Sequence, residues 1–311
     1  MLRACGHRVA VAQRWQPDPR TELMIALHAR RSHDSVRAFH AAFPRRPLLL
    51  ALTGTDLYRD IRSSIEAQAS LELAHGFIVL QPEALHELPR RLRAKTSVVV
   101  QSSATRLRHA PVSGRFRFSV IGHLREEKDP LRALAALAYL PRDLPIEVVQ
   151  LGESLEERLA REARAAMRSE PRYRWLGGLP HWRALRWLAS SHVMVISSRM
   201  EGGANVVSEA IRIGVPVLAS RIPGNVGLLG ADYPGYFAVG EQRALAKLMQ
   251  RVVEDRPFYK LLKRRVAGLR PSAMPANEAT RLREAVVRTT QASRAATRSP
   301  GQHAGGAIAE S

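Results

Sequence analysis

The chain has 311 residues, 45% of them hydrophobic, which is enough apolar material for two domains of ordinary size. Its single cysteine, Cys5, excludes an internal disulfide framework and a cysteine zinc cluster. The formal charge of +20 rests on arginine, with lysine only at Lys95, Lys128, Lys247, Lys260 and Lys263. The basic residues are spread along the chain without a helix-turn-helix, zinc finger or RNP aromatic pair. No specific nucleic-acid partner is therefore expected, only salt-sensitive adhesion, help in holding anionic substrates, or contact with an anionic membrane surface.

In chain order, LRACGHRVAVAQRW at residues 2–15 reads as the last turn of a helix, a turn at Gly6 and then a strand at 9–12. Further apolar runs at 23–27, 48–52, 76–80 and 97–100 alternate with helical stretches, which predicts a parallel sheet. Residues 102–114 are polar and basic and read as an interdomain linker. A second sheet is predicted from 118–122, 147–151, 172–176, 193–197, 215–219 and 235–239, with 155–168 as the clearest intervening helix. The resulting division is an acceptor-side domain with linker at 1–113, a nucleotide-sugar domain at 114–270, and a return helix (277–289) with a tail at 271–311, disordered from about Ser293.

The most informative segment is MEGGANVVSEAIRIGVPVLAS, residues 200–220. Gly202 and Gly203 allow close backbone approach to an anion, Asn205 is placed as an N-cap, and the N–H groups that follow can bind phosphate. Gly214 and Pro216 end the helix ahead of an apolar strand, so Glu201 and Glu209 sit at a strand–loop–helix–strand junction, where open α/β sheets bind ligands. On one helix the two carboxylates would lie about 12 Å apart along the axis, too far for glycoside hydrolysis. Glu201 is accordingly expected on the loop; the alternative is two solvated helix-surface acids.

Several chemistries lack their minimal residues: there is no GxSxG elbow, P-loop, HExxH or GxGxxG opening a helix after a strand. No apolar run approaches the roughly 20 residues of a membrane span, and Arg3, His7 and Arg8 interrupt any signal-type core near the N-terminus. A cytoplasmic enzyme without an obligate protein partner is the expectation.

The Glu-x7-Glu of Glu201 and Glu209 resembles the donor-site signature of retaining-type family 4 glycosyltransferases. The resemblance implies the GT-B architecture, an α/β fold of two Rossmann-like parallel-sheet domains facing a cleft. By position it implies that Glu201 faces the sugar, that Glu209 bonds the ribose, and that Gly202, Gly203, Ala204 and Asn205 hold the diphosphate. FSVIGHLREEK (118–128) resembles the first strand and phosphate loop of the same domain. It makes Gly122, Arg125 and Lys128 the diphosphate clamp and puts His123 where the family often has arginine.

Four strings, MIALHARRS (24–32), LTGTDLYRD (52–60), GHLREEKDP (122–130) and SSRMEGGANVVSEA (197–210), narrow the resemblance to the selenosugar synthases of selenoneine biosynthesis. PRYRWLG (171–177) and GNVGLLGADYPGYF (224–237), with Asn225, add to it, and it extends to about Tyr259. That family joins selenophosphate to the anomeric carbon of a UDP-sugar, typically UDP-N-acetylglucosamine, without a bound metal; Mg2+ is left open as a diphosphate counter-ion.

The residues suit such an acceptor. Selenophosphate is a compact polyanion that needs cations and donors, which Arg30 and Arg31 after His28, and the Thr53-Gly54-Thr55 turn, supply. An anionic selenium is already a good nucleophile, so positioning matters more than a strong base. The alternative for His28 is a satisfied strand-end histidine, and for Arg30 and Arg31 a solvated basic pair. Asp56 either orients Thr53 or Arg59 or caps the helix beginning at Leu57. Against the family pattern, the first strand, a glycine-containing loop and most of the first helix are expected to be missing, as in a late-started or fragmentary chain. Two other readings stay open, a family 4 transferase with a sugar or lipid hydroxyl acceptor and a non-catalytic sugar-nucleotide binding protein.

Overall fold

The computed structural model describes residues 1–298. The chain divides into two compact units, one built from residues 1–80, 85–99 and the segment beginning at Ala279, the other from 81–84 and 100–278. The first unit holds a four-stranded sheet of β1 (Met24–Leu27), β2 (Leu48–Ala51), β3 (Gly76–Val79) and β4 (Thr96–Val98), in that order. Every pairing is parallel. β2 and β3 are buried along their whole length, the signature of strands covered on both faces, which is why they read as unbroken apolar runs.

Residues 9–12 do not form the expected strand. A short 3-10 turn, Leu2–Cys5, ends at Gly6 in the left-handed conformation, and the chain then runs on unpaired with Val11 88% exposed. Four residues of strand propensity bury nothing by themselves and need a neighbouring ladder to hold them. Trp15 anchors this segment instead, edge-on to Phe39 and Phe43 at 5.3 and 5.9 Å.

The second unit holds a six-stranded parallel sheet in the order β10-β9-β8-β5-β6-β7. Its strands are β5 (Phe116–Ile121), β6 (Ile146–Leu151), β7 (Tyr173–Trp175), β8 (Val193–Ile196), β9 (Val217–Ser220) and β10 (Tyr236–Phe237). The chain winds outward from β5 through β6 to β7, then returns to the other side for β8, β9 and β10. β5 and β8 are therefore neighbours at the point where the winding reverses, and the loops leaving their carboxyl ends emerge side by side. The helix Glu157–Ser169 turns Leu159, Ala160 and Ala163 inward, a narrow apolar stripe on an otherwise charged helix.

Two boundaries differ from the sequence expectation. The first unit's second segment ends at Val99, so the linker expected to close the first domain at residue 113 belongs to the second unit. His109, Ala110 and Val112 donate their N–H groups to the carbonyls of Ile213, Ala189 and Ser190 at 3.2, 2.9 and 3.0 Å. The final helix spans Pro275–Arg298, so the disorder expected from Ser293 does not begin there. Ser293 is buried and its hydroxyl donates to the Arg45 carbonyl at 2.6 Å, a satisfied anchor that extends the helix. From Ala279 this helix belongs to the first unit, and Ala285 packs into the core of Leu49, Ala51, Ile78 and Val99. The expected tail beyond residue 298 lies outside the described residues.

Candidate active site

In the second unit the loop after β5 runs through Gly122 to a 3-10 turn, Glu126–Lys128, that closes on Asp129 in the left-handed conformation (φ 44°). The loop after β8 is stitched to it. Arg199 N–H donates to the Glu127 carbonyl at 2.8 Å, and Ser197 Oγ to the Asp129 carbonyl at 2.7 Å. Asp129 in turn accepts two bonds from Arg132, at 2.8 and 3.1 Å. These contacts bring Lys128 Nζ onto Glu201 Oε1, an oxygen that also accepts from Ser198 Oγ at 2.6 Å. Glu201 is buried and lies on the loop, as the spacing argument required. Gly122, Lys128, Ser197, Ser198, Glu201 and Val206 line one narrow cavity at the carboxyl ends of β5 and β8.

The Glu201 backbone is held from behind. Ser220 Oγ donates to the Ser198 carbonyl at 2.6 Å, and the Asn225 amide donates to Ser220 at 2.9 Å. A Cβ placed on Gly224 would fall 2.1 Å from the Glu201 carbonyl oxygen, so only glycine lets this helix approach the loop. Asn225, expected on the donor, is fully buried in this support, and its Oδ1 has no partner among the described residues.

The helix Asn205–Ile213 begins in the same place, but Asn205 is not its N-cap. Ala204 holds that position and no side chain caps the end. The Asn205 amide reaches forward one turn to Glu209 Oε1 at 3.3 Å, the i to i+4 contact that a helix favours once the residue is inside it. The uncapped N-terminus leaves first-turn N–H groups available to an anion. Gly203 is half-buried beside Gly202, which is buried. Glu209 is buried and accepts from His181 Nε2 at 2.7 Å, while the His181 side chain is 69% exposed. Burial pushes the Glu209 carboxyl above its ordinary value, and the bond from His181 holds the rise back.

His123 and Arg125 are oriented differently from Lys128. His123 is exposed and its Nδ1 accepts the Glu153 N–H at 3.2 Å. Arg125 Nε is buried and has no partner among the described residues. Among the described residues no group of three or more His, Cys, Asp or Glu side chains could hold a metal ion.

The residues expected on the acceptor side gather in the first unit, in the loops after β1 and β2. His28 is buried in the left-handed conformation (φ 77°), an arrangement that costs strain in a non-glycine residue and is over-determined here by its bonds. Its Nδ1 accepts the Arg31 N–H at 3.4 Å, which leaves the Nε2 proton for Thr55 Oγ1 at 2.9 Å. Burial lowers the His28 pKa, with the nearby Asp56 charge opposing, so the ring is neutral at pH 7. Of the readings open for Asp56, the structure realises the orientation of Thr53. Asp56 accepts from the Thr53 N–H and hydroxyl at 2.6 and 2.9 Å, and also from the N–H groups of Leu57 and Ala29 at 3.1 and 2.9 Å. Arg59 bonds Asp60 instead, at 3.1 Å. The following segment, Asp56–Asp60, is a single π-helical turn with Gly54 leading into it, a geometry common at functional sites.

Three residues of these clusters were not singled out from sequence. Asp60 is buried and joins Arg30 and Arg59 at 3.0 and 3.1 Å. Burial pushes its carboxyl up, but the Arg59 bond and the charges of Arg30 and Arg59 outweigh this and hold it below its ordinary value. Ser198 and His181 are the other two. Asp60 and Ser198 stand inside strings already quoted, but a hydroxyl or carboxylate at a string's edge carries no spacing signal, and His181 opens a helix with no motif around it.

Comparison with known proteins bears on the family and the fold. The family model described as glycosyl transferases group 1 matches residues 101–267. The chain is similar to HepE of Anabaena, solved in complex with UDP and glucose, at 18% identity and a TM-score of 0.67, covering 90% of this chain and 78% of that one. It is similar to sucrose-phosphate synthase of Thermosynechococcus elongatus at 17% identity and a TM-score of 0.68, covering 90% and 74%. At these identities the likeness speaks for the fold, and the two parallel-sheet α/β units are those of GT-B enzymes. The chain belongs to the glycosyl transferases group 1 family and is a glycosyltransferase of GT-B fold.

Proposed function

We propose that this glycosyltransferase makes a selenosugar, taking an N-acetylhexosaminyl group from UDP-N-acetylglucosamine and placing it on selenophosphate. The observation that supports the donor half best is the pairing of Lys128 with Glu201 beside an uncapped helix N-terminus. A nucleoside diphosphate needs this combination of a cation, backbone donors and a nearby buried carboxylate. Glu201 then faces the sugar and Glu209 takes the ribose hydroxyls, with Asn205 and His181 orienting its carboxylate. Lys128, Arg125 and the N–H groups from Gly202 to Asn205 meet the charge that develops on the departing diphosphate. HepE, solved with UDP and glucose, lends the nucleotide its support.

In the first unit, Arg30, Arg31, Thr53 and Thr55 are the proposed selenophosphate ligands, fixed by His28, Asp56 and Asp60. Arg31 is exposed and has no ion pair among the described residues, so it can meet an anion without first giving up a carboxylate. Selenium attacks the anomeric carbon as its bond to the diphosphate oxygen breaks, releasing UDP. Water then cleaves the selenium–phosphorus bond, leaving the selenol of the sugar and phosphate. A neutral His28 with Nε2 donating is not a base for a hydroxyl acceptor, which favours a nucleophile that is already anionic.

The test is turnover of UDP-N-acetylglucosamine with selenophosphate against sugar and lipid hydroxyl acceptors, read by product mass. A seleno-hexosamine formed together with UDP supports the reading. A product bearing an oxygen-linked acceptor assigns the hydroxyl-transfer activity instead, and no product with any acceptor overturns both.

A further inference from the structure

Away from Glu201, the second unit carries four arginines around one cavity of about 320 Å3. Arg106, Arg108, Arg212 and Arg270 line it, with Leu107 and Ile213 completing the wall. The backbone builds this cluster. His109 N–H donates to the Ile213 carbonyl at 3.2 Å, pinning the neighbouring 106–108 segment against the end of the helix Asn205–Ile213. Gly214 ends that helix in the left-handed conformation (φ 95°), and a Cβ there would fall 2.3 Å from Arg270 Nη2. The glycine leaves room for the guanidinium, which donates to the Ile213 carbonyl at 3.3 Å.

Among the described residues no carboxylate lines the cavity and none of its four arginines has an ion pair. Arg212 Nε is buried and has no partner among the described residues. The negative end of a helix stabilises one or two cations in its last turn, which accounts for Arg270 and Arg212. It does not account for Arg106 and Arg108, which a separate segment brings to the same space against the repulsion of like charges. A planar fork of N–H donors with no acceptor, repeated around a concave site, matches phosphate oxygens. The cavity is also within the size range of small-molecule pockets.

We propose that this cavity is a second anion site, binding a compact ligand that carries at least two phosphate charges. It sits at the carboxyl end of a nine-residue helix whose opposite end, about 13 Å away, faces Glu201. The phosphate comes either from a free phosphorylated small molecule or from a phospholipid headgroup.

The experiment uses the whole chain with UDP in excess. One arm titrates inorganic pyrophosphate calorimetrically, and the other measures co-sedimentation with phosphatidylcholine vesicles with and without phosphatidic acid. The wild type is compared with Arg106→Gln/Arg108→Gln and with Arg161→Gln/Arg168→Gln, which removes the same charge from exposed positions of the helix Glu157–Ser169. The proposal expects binding in at least one arm by the wild type and the Arg161/Arg168 variant, weakened roughly tenfold or more in the Arg106/Arg108 variant. Selective loss with pyrophosphate assigns a free phosphorylated ligand, and selective loss with phosphatidic acid alone assigns the headgroup. Absence of binding in both arms, or equal weakening in both variants, overturns it.

Discussion

Lys128 and Glu201, 73 positions apart, meet through the carboxylate oxygen that also accepts from Ser198, and this joins the loops leaving two adjacent central strands. The pair is only partly shielded, with the lysine side chain 24% exposed and the glutamate 9%. Lys128→Met strands a mostly buried charge and should cost about 1–3 kcal/mol, less than a fully buried pair would. Urea unfolding checks this. Glu201→Gln alone should cost less, and Lys128→Met/Glu201→Gln should recover most of the loss.

Glu201→Gln keeps the shape of the site and its contact with Ser198 but removes the charge facing the sugar. Turnover should fall about 100-fold or more while UDP affinity changes by no more than about threefold, a kcat effect without a binding effect. Parallel loss of affinity would mean that the substitution damages the fold of the loop and not the chemistry.

Glu209 gives a pH signature. Burial raises its carboxyl above the ordinary 4.5, so the folded state disfavours the ionised form. Its stabilising contribution is present below the ordinary value and lost as pH rises through the raised one. Glu209→Gln should therefore unfold at higher urea than the wild type near pH 8, and the advantage should shrink toward about pH 4.5. An advantage that grows on acidification contradicts this.

His109 predicts an effect of the opposite sense. Burial pushes its ring from 6.5 to about 4, despite the bond to the Ser191 carbonyl. A depressed folded value means stability is present above pH 6.5 and is lost as pH falls toward about 4. Replacing His109 with Gln, which can still donate to Ser191, should flatten the decline in melting temperature across that window.

Much of the fold could be read from the chain because β2, β3 and β8 are unbroken apolar runs between helical stretches. That pattern has few physical realisations other than a doubly covered parallel sheet. Residues 9–12 have the same local character but no ladder to join, and pairing is not a local property. In the donor cluster, Glu201, Glu209 and the glycines were visible as spacing across one loop and the helix after it, and Lys128 through the family resemblance of its string. Asn205 was misplaced by one position, because a cap is decided by backbone angles at Ala204 that composition does not encode. His181 became visible only when folding brought it onto Glu209, Ser198 only through the turn of its own loop, and the 102–114 linker joins the second unit through backbone bonds from Ser103, His109, Ala110 and Val112.

The most direct measurement is calorimetric titration of UDP into the wild type and Glu209→Ala. The variant is expected to bind UDP at least about tenfold more weakly, the loss of a charge-assisted bond to a hydroxyl pair. Equal affinity in the two proteins would contradict the assignment of the Glu201–Glu209 cluster as the nucleotide site.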